Sequence, residues 1–303
     1  MIGPFRDFEE NPILVPGQGF YSKGAYNPAV IKNNGIFFML YRAEATNESL
    51  TGRIGLAKSI NGFNFTPYPH PVLTPGEDFD RFGCEDPRII RIGDTFYLTY
   101  VGNPGRYEVG NICLAISKDL IHWKKHGSIF KPESNWNKGQ VKAGAILPEK
   151  INGKYFMYFM GENEPWKTAI GLATSSDLFQ WDEPLKEPVL YPRKGYFDSK
   201  GVEPGPPPIL TKEGIWLIYS GWGDDHTYKV GAALFSRDDP AKIIKRTEKP
   251  ILYTKTNWGD FFGGISNHTV PEGLVIEKEH WLLYYGAADR ACCVALWNRG
   301  GKE

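Results

Sequence analysis

The stretch FFMLYR (Phe37–Arg42) returns four times along the chain, as FYLTYV (Phe96–Val101), YFMYFM (Tyr155–Met160), WLIYSG (Trp216–Gly221) and LLYYGA (Leu282–Ala287). The anchors Tyr41, Tyr100, Phe159 and Tyr219 are 59, 59 and 60 residues apart, and Tyr285 closes the series. Spacing that even, carried by runs rich in aromatic and β-branched residues, marks a repeated supersecondary unit built from strands.

The second copy shows the unit best. CEDPRIIRI begins a strand near Cys84, a turn at Gly93-Asp94 leads into TFYLTYVG, NICLAIS follows a loop, and a turn at Lys118-Asp119-Leu120 leads to HWKKHGSIF. The third copy repeats the order with AGAILPEKI, KYFMYFMG, AIGLATS and a strand toward Pro188-Val189-Leu190. The turn S-x-D-L-x-x-W occurs at Ser117–Trp123 and Ser175–Trp181, with a relative, S-x-x-G-x-x-F, at Ser59–Phe65. Its Asp or Asn can cap the turn while the aromatic packs between sheets. No helix-period pattern of useful length is visible.

Five four-stranded units predict an all-β, five-bladed β-propeller, with residues 1–303 forming one domain. A β-sandwich or a solenoid is the structural alternative. The fifth copy stops near Trp297 without an outer strand, and the N-terminus holds a spare one. Asn11-Pro-Ile-Leu-Val15 resembles Glu187-Pro-Val-Leu-Tyr191 and Lys249-Pro-Ile-Leu-Tyr253, which end other blades. Residues 8–16 are therefore expected to complete blade five and remove an open edge.

Composition narrows the function classes. Thirty-five basic and 35 acidic residues leave no net charge, so a nucleic-acid or anionic-membrane partner finds no support. No apolar run reaches transmembrane length, and MIGPFRDFEE carries no signal-peptide core. Cys84, Cys113, Cys292 and Cys293 fit no metal spacing and read as buried free thiols, which points to the cytoplasm. No metal site or cofactor motif is apparent. Oligomeric state is left open, a homo-oligomer included.

In a propeller the residues just before each innermost strand converge on one mouth. Here they differ from blade to blade: Asn27, then Glu85, Asp86 and Arg88, then Lys142, Glu203 and Glu272, with prolines holding the backbone extended. Several carboxylates around one funnel suit carbohydrate chemistry, where two can divide acid and base roles. The bland reading stands beside this one. Asp86 before Pro87 is a common turn starter, Asp86 with Arg88 could be a structural ion pair, and Arg42 could be a solvated strand end. His226 and His268 sit in mouth-side loops, where a lone His is more often a surface or packing residue. Tyr107, Trp166, Trp222, Tyr228 and Phe261/Phe262 are candidates to stack on sugars. Trp123, Trp181, Trp216 and Trp281 read as packing between blades.

The series NPAV at Asn27, YRAE at Tyr41, EDPRI at Glu85, the S-x-D-L-x-x-W turns, GPPPI at Gly205 and YYGAAD at Tyr284 resembles glycoside hydrolase family 130 through the whole chain. The resemblance implies a five-bladed propeller acting on short β-mannosides, mostly by inverting phosphorolysis and in a smaller group by hydrolysis. It implies that Asp86 is the general acid, delivering its proton through a hydroxyl of the mannosyl ring. It places Asn27, Arg42 and Asp289 around the mannosyl residue.

The three basic positions that cradle phosphate in family phosphorylases fall on Lys142, Met160 and Glu203, of which only the first is basic. A carboxylate repels phosphate but can polarise a water. The leading expectation is therefore an inverting β-mannosidase, a hydrolase with water activated by Glu203 and Glu272. The alternative is a β-mannoside phosphorylase making α-mannose 1-phosphate, with inorganic phosphate as co-substrate and otherwise no cofactor. Lys167, Arg106, Arg193, Lys229, His226 and His268 could rebuild an anion site from other loops. A non-catalytic carbohydrate-binding propeller is the third class.

Overall fold

The computed structural model describes residues 2–105, 109–254, 256–263 and 268–298. Their strands form five separate sheets arranged as five blades around one axis. Blade one runs from the axis outward through Gly24–Asn33, Ile36–Glu44, Arg53–Ser59 and Thr66–Pro67. Blade two uses Gly83–Ile92, Thr95–Asn103, Asn111–Ser117 and Lys124–Phe130. Blade three has Gln140–Ile146, Tyr155–Glu162 and Thr168–Ser175, and its expected outer strand shrinks to the bridges Ile170↔Leu190 and Thr174↔Asp182. In blade four the inner strand is split into Gly201–Pro204 and Ile209–Leu210, beside Ile215–Trp222, Lys229–Phe235 and Ile243–Arg246. Pro206, Pro207 and Pro208 explain the split, because none carries an N–H for the ladder.

Blade five joins both ends of the chain. Thr269–Ile276, His280–Ala287 and Ala291–Asn298 are followed by the N-terminal strand Phe5–Asp7, which pairs antiparallel with the third strand at Arg6↔Leu296. Leu252–Tyr253 then adds in parallel outside it. The closing strand thus lies a few residues earlier than expected. Residues 8–14 continue along the same edge in broken fashion: Asn11 turns back on Phe8, and the bridge Leu14↔Cys292 resumes the pairing. Pro12, which has no N–H, sits in the interruption.

Apolar residues lie between neighbouring blades and form five clusters, one per blade junction. Leu40, Leu56, Leu98 and Tyr100 fill the junction of blades one and two, and Met39, Tyr41, Leu282 and Tyr284 that of blades five and one. The ring is therefore closed by packing as well as by the N-terminal strand. Adjacent Cys292 and Cys293 point to opposite faces of one strand and enter the clusters on either side of blade five; all four cysteines are buried and free.

The repeated turn works by side-chain capping. Ser117 Oγ accepts from the Leu120 N–H at 2.9 Å, Asp119 Oδ1 from the His122 N–H at 2.8 Å, and Trp123 Nε1 donates to the Leu120 carbonyl at 3.1 Å. The same set recurs at Ser175, Asp177, Leu178 and Trp181. Leu120 and Leu178 take positive φ in these turns. The blade-one copy places Gly62 there, where positive φ costs nothing. No helix among the described residues is long and apolar enough to cross a membrane.

Candidate functional site

The inner strands carry the site because they are bulged. Their ladders skip between Tyr26 and Ala29, Glu85 and Arg88, Lys142 and Ala145, and Pro271 and Gly273. In the first three the extra residue is left-handed: Asn27 at φ 52°, Asp86 at 50° and Ala143 at 55°. Asn and Asp tolerate that region better than other L-residues, and a bulge re-aims side chains that a regular strand would bury between blades.

Blades one and two meet over Asp86. Asn27 Nδ2 donates to Asp86 Oδ1 at 2.8 Å, and the Arg42 guanidinium lies 3.2 Å from the same oxygen. Arg42 also pairs with Glu85 at 3.1 Å and Glu44 at 3.2 Å, and donates through Nε to the Thr51 carbonyl. Tyr26 donates to Glu44, while Thr51 and Asn103 hold Glu85. Asn27 Oδ1 is buried without a hydrogen bond among the described residues. Gly286 makes room for it, since a Cβ there would lie 2.2 Å from Asn27 Oδ1. Burial pushes the Asp86 carboxyl up. Arg42, Lys142, Arg88 and the Asn27 hydrogen bond together pull it further down, so it sits below the usual carboxylate range.

Across the mouth, blades three and four enclose a cavity of about 320 Å³ lined by Gln140, Lys142, Met160, Glu162, Trp166, Thr168, Glu203, Trp222 and Tyr228. Among the described residues Lys142 forms no ion pair. Glu203 lies 3.7 Å from Arg88 and accepts no hydrogen bond from a described residue. Burial, against the opposing pull of Arg88, raises its carboxyl to about 6. Gln140 bonds Glu162 beside Lys142.

An aromatic wall continues from this cavity. Trp166, 48% exposed and at φ 68°, stands edge-on to Trp222 and 5.1 Å from the His226 ring. Trp222 stacks on Tyr228 at 4.3 Å, Tyr228 meets His268 at 4.5 Å, and His268 Nδ1 lies 3.5 Å from Asp289. Trp222 Nε1 is buried without a hydrogen bond among the described residues.

Several expected site residues fall elsewhere. Arg88 is not at the surface of the funnel: its side chain is 1% exposed and spent on protein partners. Glu272 is sealed at 0% exposure against Arg88 at 3.3 Å, and burial raises its carboxyl well above the usual range. It is thus closed off from the solvent that an attacking water would come from. Arg193 is committed to Asp198 and the Thr247 carbonyl, Lys229 to Asp225 and Lys167 to Glu164. Phe261 and Phe262 pack on Trp258. Arg106 and Tyr107 lie outside the described residues. Tyr26, Glu44, Gln140 and Glu162 were not singled out in the sequence. The signal available was the strand period of two, which sets Gln140 and Glu162 on the same faces as Lys142 and Met160.

A propeller whose mouth gathers carboxylates, cations and aromatic rings is of the carbohydrate-active class. The chain belongs to glycoside hydrolase family 130: the family model, described as β-1,4-mannooligosaccharide phosphorylase, matches residues 18–300. A 1,2-β-oligomannan phosphorylase of Thermoanaerobacter sp. is 35% identical over 96% of each chain. A β-1,2-mannobiose phosphorylase of Listeria innocua is 33% identical over 93% of this chain and 92% of its own. A solved structure, from work on glycoside hydrolases of this family of mannoside phosphorylases that target β-1,2 mannosidic linkages in Candida mannan, superposes with TM-score 0.88. It is 30% identical and covers 100% of this chain and 96% of its own.

These relatives correct the expectation of a hydrolase. The curated proteins matching nearly the whole chain at 33–35% identity are phosphorylases. The expectation rested on the charge of Glu203 alone; burial raises its carboxyl to about 6, and Lys142 lines the same cavity as an opposing cation.

Proposed function

We propose that the protein is an inverting β-mannoside phosphorylase acting on short β-linked mannosides, with β-1,2 linkages the first to test. The observation that carries this reading is the pairing of two sides of one mouth. The Asp86 carboxyl sits among Asn27 and Arg42, and Lys142 faces the neighbouring cavity with no ion pair among the described residues. The relatives' names support the reading on the side of activity and linkage.

In this reading Asn27, Arg42 and Asp289 hold the terminal mannosyl residue. Asp86 gives its proton to the leaving oxygen, directly or through a mannosyl hydroxyl. Phosphate, drawn by Lys142, attacks C1 from the opposite face; the C1–O bond to the aglycone breaks as the bond to phosphate forms, giving α-mannose 1-phosphate. Phosphate also helps the acid. Its negative charge offsets Lys142, one of the cations that keep Asp86 ionised, and so favours the protonated carboxyl. Trp166 and Tyr228 line the cavity and offer ring surface to the departing sugar, whereas Trp222, expected as a sugar contact, is 1% exposed and packed between Tyr228 and Gly201. Inorganic phosphate is then a co-substrate.

The test is incubation with β-1,2-, β-1,3- and β-1,4-mannobiose, with and without phosphate. Phosphate-dependent α-mannose 1-phosphate is the expected product. Free mannose released at the same rate without phosphate would reject phosphorolysis.

A further inference from the structure

Arg88 sits on the propeller axis and reaches three blades. NH1 donates to the Asp86 carbonyl at 3.0 Å, Nε to the Gly205 carbonyl at 3.1 Å and NH2 to the Pro204 carbonyl at 2.9 Å. Glu272 lies 3.3 Å from NH1 and Glu203 3.7 Å from NH2. Three of its N–H groups are thus hydrogen-bonded to carbonyls of blades two and four, and carboxylates of blades four and five lie within ion-pair distance. The acceptors are exposed to it by local irregularity. The bulge at Asp86-Pro87 takes the Asp86 carbonyl out of its ladder, and pairing in blade four lapses between Pro204 and Ile209, where the Gly-Pro-Pro-Pro run lies. A lysine has three donors on a single point and cannot span this set.

We propose that Arg88 is a positioning residue of the reaction: out of reach of substrate, its guanidinium fixes the Asp86 bulge of blade two against the Glu203 segment of blade four. One planar group then sets the distance between the acid side of the mouth and the cavity beside Lys142. The inference rests on the proposed function only in taking Asp86 as the proton donor. The charged groups around it are Asp86 and Glu85 of blade two, Arg42 of blade one, Lys142 and Glu162 of blade three, Glu203 of blade four and Glu272 of blade five. Arg88 is also among the cations that lower the Asp86 carboxyl.

The experiment compares wild type, Arg88→Lys and Arg88→Ala by thermal melting, mannose binding by calorimetry, and steady-state kinetics from pH 5 to 9. Displacing a reacting group by about 1 Å costs on the order of 10²-fold in rate. Arg88→Lys is therefore expected to fold and bind mannose within about 3-fold of wild type, yet lose on the order of 10²-fold in kcat. In Arg88→Ala the alkaline limb should move to higher pH, because a cation holding Asp86 ionised is gone, and added guanidinium should restore part of kcat. A wild-type kcat per folded molecule, with an unmoved pH profile and no rescue, would overturn the proposal.

Gly205→Ala tests the other end of the strut and guards against misfolding of the Arg88 variants. Its Cβ would lie 2.8 Å from the Ile218 carbonyl oxygen and 3.0 Å from that of Pro271, so the carbonyl that Arg88 holds must shift. A roughly 10-fold or greater fall in kcat with mannose affinity intact is expected, and an unchanged kcat again overturns the proposal. Every assay is run with and without phosphate. If wild type transfers mannose to water instead, the phosphorolysis reading falls, and the variant-to-wild-type ratio is still read from that reaction.

Discussion

As the proposed acid, Asp86 would have to be neutral to give a proton, yet Arg42, Lys142 and Arg88 surround it and hold it ionised in the ligand-free protein. A carboxyl in that state takes up its proton only when ligands change the local charge. Asp86→Asn is expected to keep the fold, because the amide still fits the left-handed bulge and its oxygen still accepts from Asn27 and Arg42. The variant should lose on the order of 10²–10⁴ in kcat, the usual cost of a missing general acid. Turnover of an unactivated mannobiose within 10-fold of wild type would remove the role. Glu203 tests the opposite wall. Its folded carboxyl is raised to about 6 from an ordinary value of 4.5, so folding is favoured while it is protonated and loses that advantage as pH rises through 6. Glu203→Gln removes the titration. Its melting temperature should match or trail wild type near pH 4 and exceed it at pH 7 to 8, by up to about 2 kcal/mol of stability. Melts that keep a constant gap across that range would show that Glu203 carries no such strain.

At the scale of strands, the candidate site is built on four bulges and one proline run. The blades themselves were legible because the aromatic anchors repeat at nearly constant spacing and the Ser-x-Asp turns punctuate them. The convergence of Asn27, Glu85, Asp86, Lys142 and Glu203 near one mouth was legible too, because equivalent positions in a repeat must be neighbours around the axis. Arg88 and Glu272 were misplaced for a definite reason: a bulge inserts a residue and shifts which side chains face the funnel, and strand alternation does not announce it. The carbonyls that Arg88 holds, 116 and 117 residues away, leave no mark on its own segment. Gly286 illustrates the same point in the second strand of blade five. Its missing Cβ leaves space for Asn27 on blade one, a contact that only the closed ring creates. Gly286→Ala should push Asn27 aside, since a 2.2 Å approach is impossible. The expected result is a KM for mannoside raised at least about 10-fold, on the scale of one lost polar contact to a charged partner. Binding of mannose unchanged from wild type in a folded Gly286→Ala protein would show that Asn27 does not depend on that space.

The whole ring depends on how its ends meet. Blade five presents the edge of Ala291–Asn298, and Phe5–Asp7 covers it together with the bridge at Leu14. Ile2 and Phe5 bury their side chains in the junction of blades four and five, and Leu14 in that of five and one. Full burial of such side chains contributes about 1.5–3 kcal/mol each, so the three together are worth roughly 5–9 kcal/mol. A domain's entire stability is about 5–15 kcal/mol. Deleting residues 2–14 therefore removes a contribution comparable to the whole and uncovers an unpaired strand edge, which invites pairing between molecules. The truncated protein should lack a cooperative melt or elute as aggregate by size-exclusion chromatography. Phe5→Ala, a milder lesion in the same place, should lower stability by about 3–5 kcal/mol while leaving activity per folded molecule intact, because Phe5 packs far out on the blade rather than at the axis. A truncated chain that stays monomeric, melts within 5 °C of wild type (about 3 kcal/mol or less for a chain this long) and turns over substrate normally would show that the blade packing alone holds the ring closed.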